Sequence, residues 1–159
     1  MEKMNLDGIN QLVVDKKFEE AKNELLKYDL DQDKNIEALK LLGLCNVNLE
    51  KYKEGQINFE TVVKYDPDDA SSWFYLASCY DNMDDRLHAI TAYLKVIELR
   101  ENFIDAYKNL CVLYIRNEEQ QNAIDLALKA LELEEDDYTF YYIIGTAYMS
   151  IKNFEESVK

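Results

Sequence analysis

Large apolar and small residues recur along the chain at helical spacing. Trp73, Leu76, Ala77 and Tyr80 stand at i, i+3, i+4 and i+7, one face of an α-helix. Ala89, Tyr93, Val96 and Ile97 mark the face of a second helix. The short polar break Asn82-Met83-Asp84-Asp85 between them predicts a tight turn. A second break, Asp66-Pro67-Asp68-Asp69, precedes the first face. Its proline ends a helix, and its aspartates are placed to cap the next one at the positive end of the helix dipole.

The pattern repeats every 34 residues without insertion or deletion. Trp73 leads to Tyr107 and Tyr141, Leu76 to Leu110 and Ile144, and Tyr80 to Tyr114 and Tyr148. Ala77 falls in a column with Gly43, Cys111 and Gly145, and Ala89 in one with Ala21, Gly55, Ala123 and Ser157. Five small residues in a single column would arise by chance about 3 times in 100,000, so the period is real. Small side chains at 77 and 89 let the two helices of a pair approach closely. The large ones, Trp73, Leu76, Tyr80 and Tyr93, fill the space between pairs, so no pair can bury its faces alone.

A 34-residue unit of the form Trp73-x2-Leu76-Ala77-x2-Tyr80, then Ala89-x3-Tyr93, resembles the tetratricopeptide repeat, and 36–69 adds Leu42-Gly43, Gly55-x3-Phe59 and Pro67. The resemblance spans the chain as one array, 1–159, with repeats at 2–35, 36–69, 70–103 and 104–137 and a partial unit at 138–159. It implies an all-α, right-handed superhelical solenoid of antiparallel helix pairs. The first unit departs from the pattern, with Asn5 and Gly8 where large apolar residues are usual, as expected of a terminal repeat. Phe154 to Lys159 open a second helix that is not completed, which points to a piece of a longer array. The helix over 138–150 would cap the array, or would leave Tyr141, Ile144 and Tyr148 for a partner or a second copy of the chain.

Charge narrows the function. The net charge is −14, which repels phosphate backbones and argues against nucleic-acid binding. There is no polybasic cluster for an anionic membrane and no apolar run long enough to span one. The N-terminus has no signal-like apolar segment, so a cytoplasmic protein is expected.

Candidate chemistry is sparse. Cys45 and Cys79 share a column and Cys111 lies near it, as buried small hydrophobes would, with reduced thiols. His88, the single histidine, falls at the solvent edge of its helix with no nucleophile placed beside it. Asp29-x-Asp31-x-Asp33 resembles the start of a calcium loop, but Lys34 and Lys40 stand where that loop needs Gly and Glu. The acidic run from Glu132 to Asp137 is expected to be a solvated helix end. No metal site, cofactor or catalytic residue is assigned, and an enzyme is not expected.

In the family it resembles, the first helix of each pair lines a concave groove that binds peptide segments of other proteins. Carried onto this chain, the lining is Lys40, Leu44 and Asn48; Phe74, Ser78 and Asp81; Lys108, Val112 and Arg116; and Tyr142 and Thr146. With Lys3, Glu37 and Asp105 included, cations and anions nearly cancel, leaving a near-neutral groove with apolar patches on an acidic body. The family's clamp for a terminal carboxylate needs Lys-x3-Asn, but Lys40 is followed by Leu44 and Lys108 by Val112. The expected partner is therefore a protein or peptide with apolar anchors and one or two acids near Lys108 and Arg116. Self-association through the C-terminal end is the alternative, as is a role as the docking arm of a larger enzyme or secretion or assembly protein.

Overall fold

The computed structural model describes residues 4–28, 30, 35–134 and 136–157, with side chains as far as Lys152. The acidic triplet around Asp31 lies outside the described residues, as do Lys3 and the side chains of 153–159. Among the described residues the structure is helical throughout, with nine helices and no strand. They are α1 (Leu6–Val14), α2 (Phe18–Leu25), α3 (Ile36–Asn48), α4 (Tyr52–Tyr65), α5 (Ala70–Asn82), α6 (Arg86–Leu99), α7 (Ile104–Arg116), α8 (Gln120–Leu133) and α9 (Tyr138–Ser157). Two compact units divide the chain, Met1–Asp85 and Arg86–Lys159.

The first four of the first helices, α1, α3, α5 and α7, end in the same way. Lys16, Glu50, Asp84 and Glu118, one period apart, take φ of 58 to 60°, the left-handed conformation of a helix C-terminus. At each, the next residue's N–H returns to a carbonyl five residues back: Lys17 to Leu12, Lys51 to Asn46, Asp85 to Tyr80 and Glu119 to Tyr114, at 2.8–2.9 Å. These bonds satisfy carbonyls that the last helical turn leaves without a partner, and they reverse the chain.

Helix starts follow the polar breaks. Asn35 Oδ1 accepts from the Ala38 N–H at 3.1 Å, Asp69 from Ser71 at 3.2 Å and Asp137 from Thr139 at 2.9 Å. Pro67 follows Asp66, whose extended backbone (φ −128°, ψ 80°) closes α4.

In the first unit, α2, α3, α4 and α5 run antiparallel to their sequence neighbours. Lys22 bonds Asn46 at 2.6 Å while Glu19 meets Lys51 at 2.9 Å, so positions rise on one helix as they fall on the other. Phe59 stacks on Tyr75 with ring centroids 5.4 Å apart, and the Tyr80 hydroxyl donates to Glu60 at 2.7 Å. α3 and α4 approach closely at Gly43, where a Cβ would stand 2.8 Å from the Phe59 ring. A Cβ on Gly55 would be 3.1 Å from both Val47 and Cys79. Asn46, buried between three helices, donates to Asn58 at 2.8 Å and accepts from Lys22, so its amide is satisfied. The core gathers Ile9, Leu25, Leu39 and Val62 at one end and Phe59, Leu76 and Cys79 at the other.

The second unit repeats the plan. Asn109 bonds the Tyr93 hydroxyl at 3.1 Å, and Arg86 reaches the Arg116 carbonyl at 3.2 Å, fixing α6 antiparallel to α7. Its core packs Tyr107, Cys111, Ala127, Phe140 and Ile143. Within each unit the first helices also touch: α1 with α3, α3 with α5, and α7 with α9.

The terminal helices differ from the rest, and at α9 an expectation is corrected. The first repeat is short: α1 begins only at Leu6, capped by Asn5, and α2 has 8 residues where α4 has 14. At the other end no second helix opens at Phe154, because α9 runs unbroken for 20 residues to Ser157. It passes through Lys152, the fifth member of the column whose other four members reverse the chain.

Candidate functional site

The lining predicted from sequence falls in both units. In the first unit α3 carries Lys40, Leu44 and Asn48, and α5 carries Phe74, Ser78 and Asp81. Leu44, Phe74 and Ser78 are half-buried and Asn48 is exposed. Asn48 turns its amide back on its own helix, donating to the Leu44 carbonyl at 2.9 Å, and Asn82 does the same to Ser78 one period on. Phe74 meets Tyr75 edge to face at 5.7 Å.

Lys40 is not an open groove cation. Its ammonium lies 2.7 Å from Asp69 on the cap of α5. The same carboxylate accepts from the Ser72 hydroxyl at 2.7 Å. Burial pushes the Asp69 carboxyl up, but the bonds from Lys40 and Ser72 outweigh it and hold it below its usual range. Lys108 repeats the device two periods later, 2.6 Å from Asp137 on the cap of α9. The Lys108 bond holds Asp137 down at about 2. Both ammonium groups are raised, first by the hydrogen bond to their aspartate. Each lysine thus ties one first helix to the next. Two of the four cations predicted for the groove are thus paired with helix-cap aspartates that lie outside the predicted lining. The acidic run from Glu132 to Asp137 is likewise more than a solvated end, since Asp137 is both cap and ion-pair partner.

Between α3 and α5 lies a pocket of about 130 Å³. Leu41, Phe59 and Ser72 are the buried part of its lining, Leu44, Tyr75 and Lys40 are half-buried, and Glu37 and Ser71 are exposed. The structure therefore brings the predicted Lys40 and Leu44 together, with Tyr75, Leu41 and Phe59 beside them. Sequence reasoning left those three out of the site. The signal was a column between the stacking stripe and the groove stripe in which Leu41, Tyr75 and Ile143 are large and apolar, although Asp7 and Asn109 are not.

In the second unit Val112 and Tyr142 are exposed, at 47% and 76%, Thr146 is half-buried, and Arg116 is exposed at the end of α7. Thr146 bonds the Tyr142 carbonyl at 2.9 Å. The concavity found here, about 380 Å³, lies where α6 turns into α7 and joins Lys108 and Asp105 to Arg100, Phe103 and Glu134. It does not include Val112 or Tyr142. On α9, Tyr141 and Tyr148 are more than half exposed, and a Cβ on Gly145 would meet nothing within 4 Å. Tyr107 and Cys111, one period earlier, are fully buried.

Burial pushes the Cys45 thiol up to about 11 and those of Cys79 and Cys111 up to about 12, and all three are unbridged. His88 is exposed. Among the described residues no cluster of three or more His, Cys, Asp or Glu is placed to hold a metal, and no helix is long and apolar enough to cross a membrane.

Comparison with known proteins agrees with the repeat pattern. The tetratricopeptide repeat family model matches residues 36–69 and 70–103. A crystal structure of MamA protein superposes with a TM-score of 0.85 at 25% identity, covering 96% of this chain and 84% of that one. MamA from Desulfovibrio magneticus RS-1, from residue 41 to the end, gives 0.76 at 23%, covering 85% and 78%. YrrB, described as a TPR protein with an unusual peptide-binding site, gives 0.75 at 23%, covering 84% and 69%. No curated protein matches the sequence.

Proposed function

We propose that this chain, an all-α solenoid that carries tetratricopeptide repeats, holds a peptide segment of a partner protein on its first helices and performs no chemistry of its own. The interaction role accords with the repeat family and with the solved structures it resembles. The observation that carries the peptide reading is a pair of half-buried or exposed apolar side chains on the first helices of each unit: Leu44 and Phe74 in one, Val112 and Tyr142 in the other. Apolar groups grouped on one kind of element and left in reach of water favour a docking surface. The reading without catalysis is supported by the thiols, whose raised pKa leaves almost no thiolate at neutral pH.

The test is affinity capture from lysate of the source cells, with the wild-type chain beside Phe74→Ala combined with Arg116→Glu. A protein retained by the first and lost from the second supports the reading. Equal retention by both moves the interface away from the first helices. Binding should weaken only mildly with salt, because Lys40 and Lys108 are already paired.

One observation favours a second reading, assembly of copies through α9. Its Tyr141 and Tyr148 stay exposed in columns whose earlier members pack. A strict monomer in gel filtration at high concentration would remove it.

A further inference from the structure

The pocket between α3 and α5 has a size, a lining and a charge that together specify what enters it. Small-molecule sites run to roughly 300–1,000 Å³, and a closed apolar cavity of about 150 Å³ takes a benzene ring. At about 130 Å³ this pocket holds a single side chain, slightly smaller than an aromatic ring. Its floor is apolar: Leu41 and Phe59 are buried and Leu44 is half-buried. Its wall, Tyr75, is held in place by stacking on Phe59 and by the edge of Phe74. An apolar floor of this kind rewards an aliphatic group and rejects a charged one.

The edge has the opposite character. Lys40 supplies the one cation, and three carboxylates act on it: Asp69 in contact, with Glu37 and Asp66 contributing through their charge. Asp69 is committed to Lys40 and to the start of α5. Glu37 lines the pocket and is exposed in the first turn of α3. The edge is therefore net negative on a chain of net charge −14. A segment approaching with acids is repelled, and one bringing a cation next to its apolar anchor is attracted.

We propose that this pocket seats one Leu, Ile or Met side chain of the partner segment, and that a Lys or Arg adjacent to it in that segment pairs with Glu37. The proposal rests on the groove reading above and deepens it. It replaces an acidic partner segment with a basic one.

The experiment is selection of phage-displayed random peptides, twelve residues long, on the whole chain. The enriched peptides are then synthesised and titrated by fluorescence anisotropy against wild type, Leu44→Asp, Glu37→Lys, and Phe74→Ala with Arg116→Glu. Enriched sequences should carry Leu, Ile or Met beside Lys or Arg. Leu44→Asp, which puts a charge on the apolar floor, should weaken them at least about tenfold. Glu37→Lys should weaken them about two- to fivefold, the range for an exposed ion pair. A fresh selection on Glu37→Lys should turn the flanking preference to Asp or Glu. Glu37 is an exposed helix residue, so that arm reads out even if Leu44→Asp fails to fold. Peptides lacking the apolar–basic pair, or unaffected by both pocket variants, overturn the proposal. If such peptides still weaken in the Phe74, Arg116 variant, the groove reading stands and the pocket alone fails. Binding that no variant changes, or no enrichment at all, overturns both.

Discussion

The α3–α5 and α7–α9 regions carry the same four charges two periods apart: Glu37 and Asp105, Lys40 and Lys108, Asp66 and Glu134, Asp69 and Asp137. Both form the same lysine–aspartate tie. Their packing is reversed. In the first region a large ring on the second helix, Phe59, shares the lining of the pocket with a small Ser72 at the start of α5, both almost fully buried. In the second, the matching positions are Ala127 and Phe140, also buried. Leu25 with Ala38 and Tyr93 with Ala106 follow the first arrangement, so α7–α9 is the exception. Where Ser72 leaves room above the Phe59 ring, an apolar pocket opens. Where Phe140 takes that ground, the Lys108 ammonium lies 6.0 Å over its ring instead. The charged columns set how successive first helices are tied, and one packing column decides whether a pocket remains beside the tie.

The largest expected effects fall on that column. Phe59→Ala and Phe140→Ala each remove a buried ring and should cost roughly 3–5 kcal/mol in urea unfolding. The comparison is sharpened by exchanging the pair in the second region, Ala127→Phe with Phe140→Ser. If the two positions trade volume, the double variant should lie within about 1.5 kcal/mol of wild type, and each single change should cost more. It should also open an apolar pocket beside Lys108. Additive costs in the double-mutant cycle would mean that the two positions do not share one space.

The ties come next. Asp69→Ala and Asp137→Ala each remove a helix cap, worth about 0.5–2 kcal/mol, and strip a lysine of its partner. The pH dependence has a definite sign. Asp137 binds its proton more weakly folded, at about 2, than in its ordinary range near 3.8. Its stabilisation is therefore complete above about pH 4 and is lost as pH falls toward 2. Acid unfolding of wild type against Asp137→Asn should show the gap between them closing across that window. A gap that stays constant with pH would assign the aspartate's contribution to the cap alone.

Much of this was legible before the structure. The period, the helix positions, the capping aspartates and the buried cysteine column all follow from spacing, because a helix repeats its face every few residues wherever it lies. The ties were harder to see, since Lys40 and Asp69 are 29 residues apart and each reads locally as an ordinary surface charge. Only their joint recurrence at Lys108 and Asp137, with Phe74 and Phe103 in the same columns between, marks them as a pair. Tyr75 escaped because its column lies between two stripes, and facing α4 or facing the groove is decided by the twist of neighbouring helices. The unbroken α9 escaped because the 34-residue rule supplies a turn at Lys152 by position alone, whereas the helix continues through it to Ser157.

The smallest effect separates those last two situations most cleanly. Glu50 and Lys152 occupy the same column. Glu50 sits at φ 58°, where an L side chain crowds its own carbonyl, whereas Lys152 lies inside α9. Glycine removes that crowding, so Glu50→Gly should stabilise the chain by about 0.5 kcal/mol after the extra freedom it gives the unfolded chain. In a helix the same residue only adds backbone freedom, so Lys152→Gly should destabilise by roughly 0.5–1 kcal/mol. Thermal melts of the two variants at one pH should therefore move in opposite directions. A gain at Lys152 comparable to that at Glu50 would mean that the chain reverses there in solution, and that residues beyond 152 fold back along α9 after all.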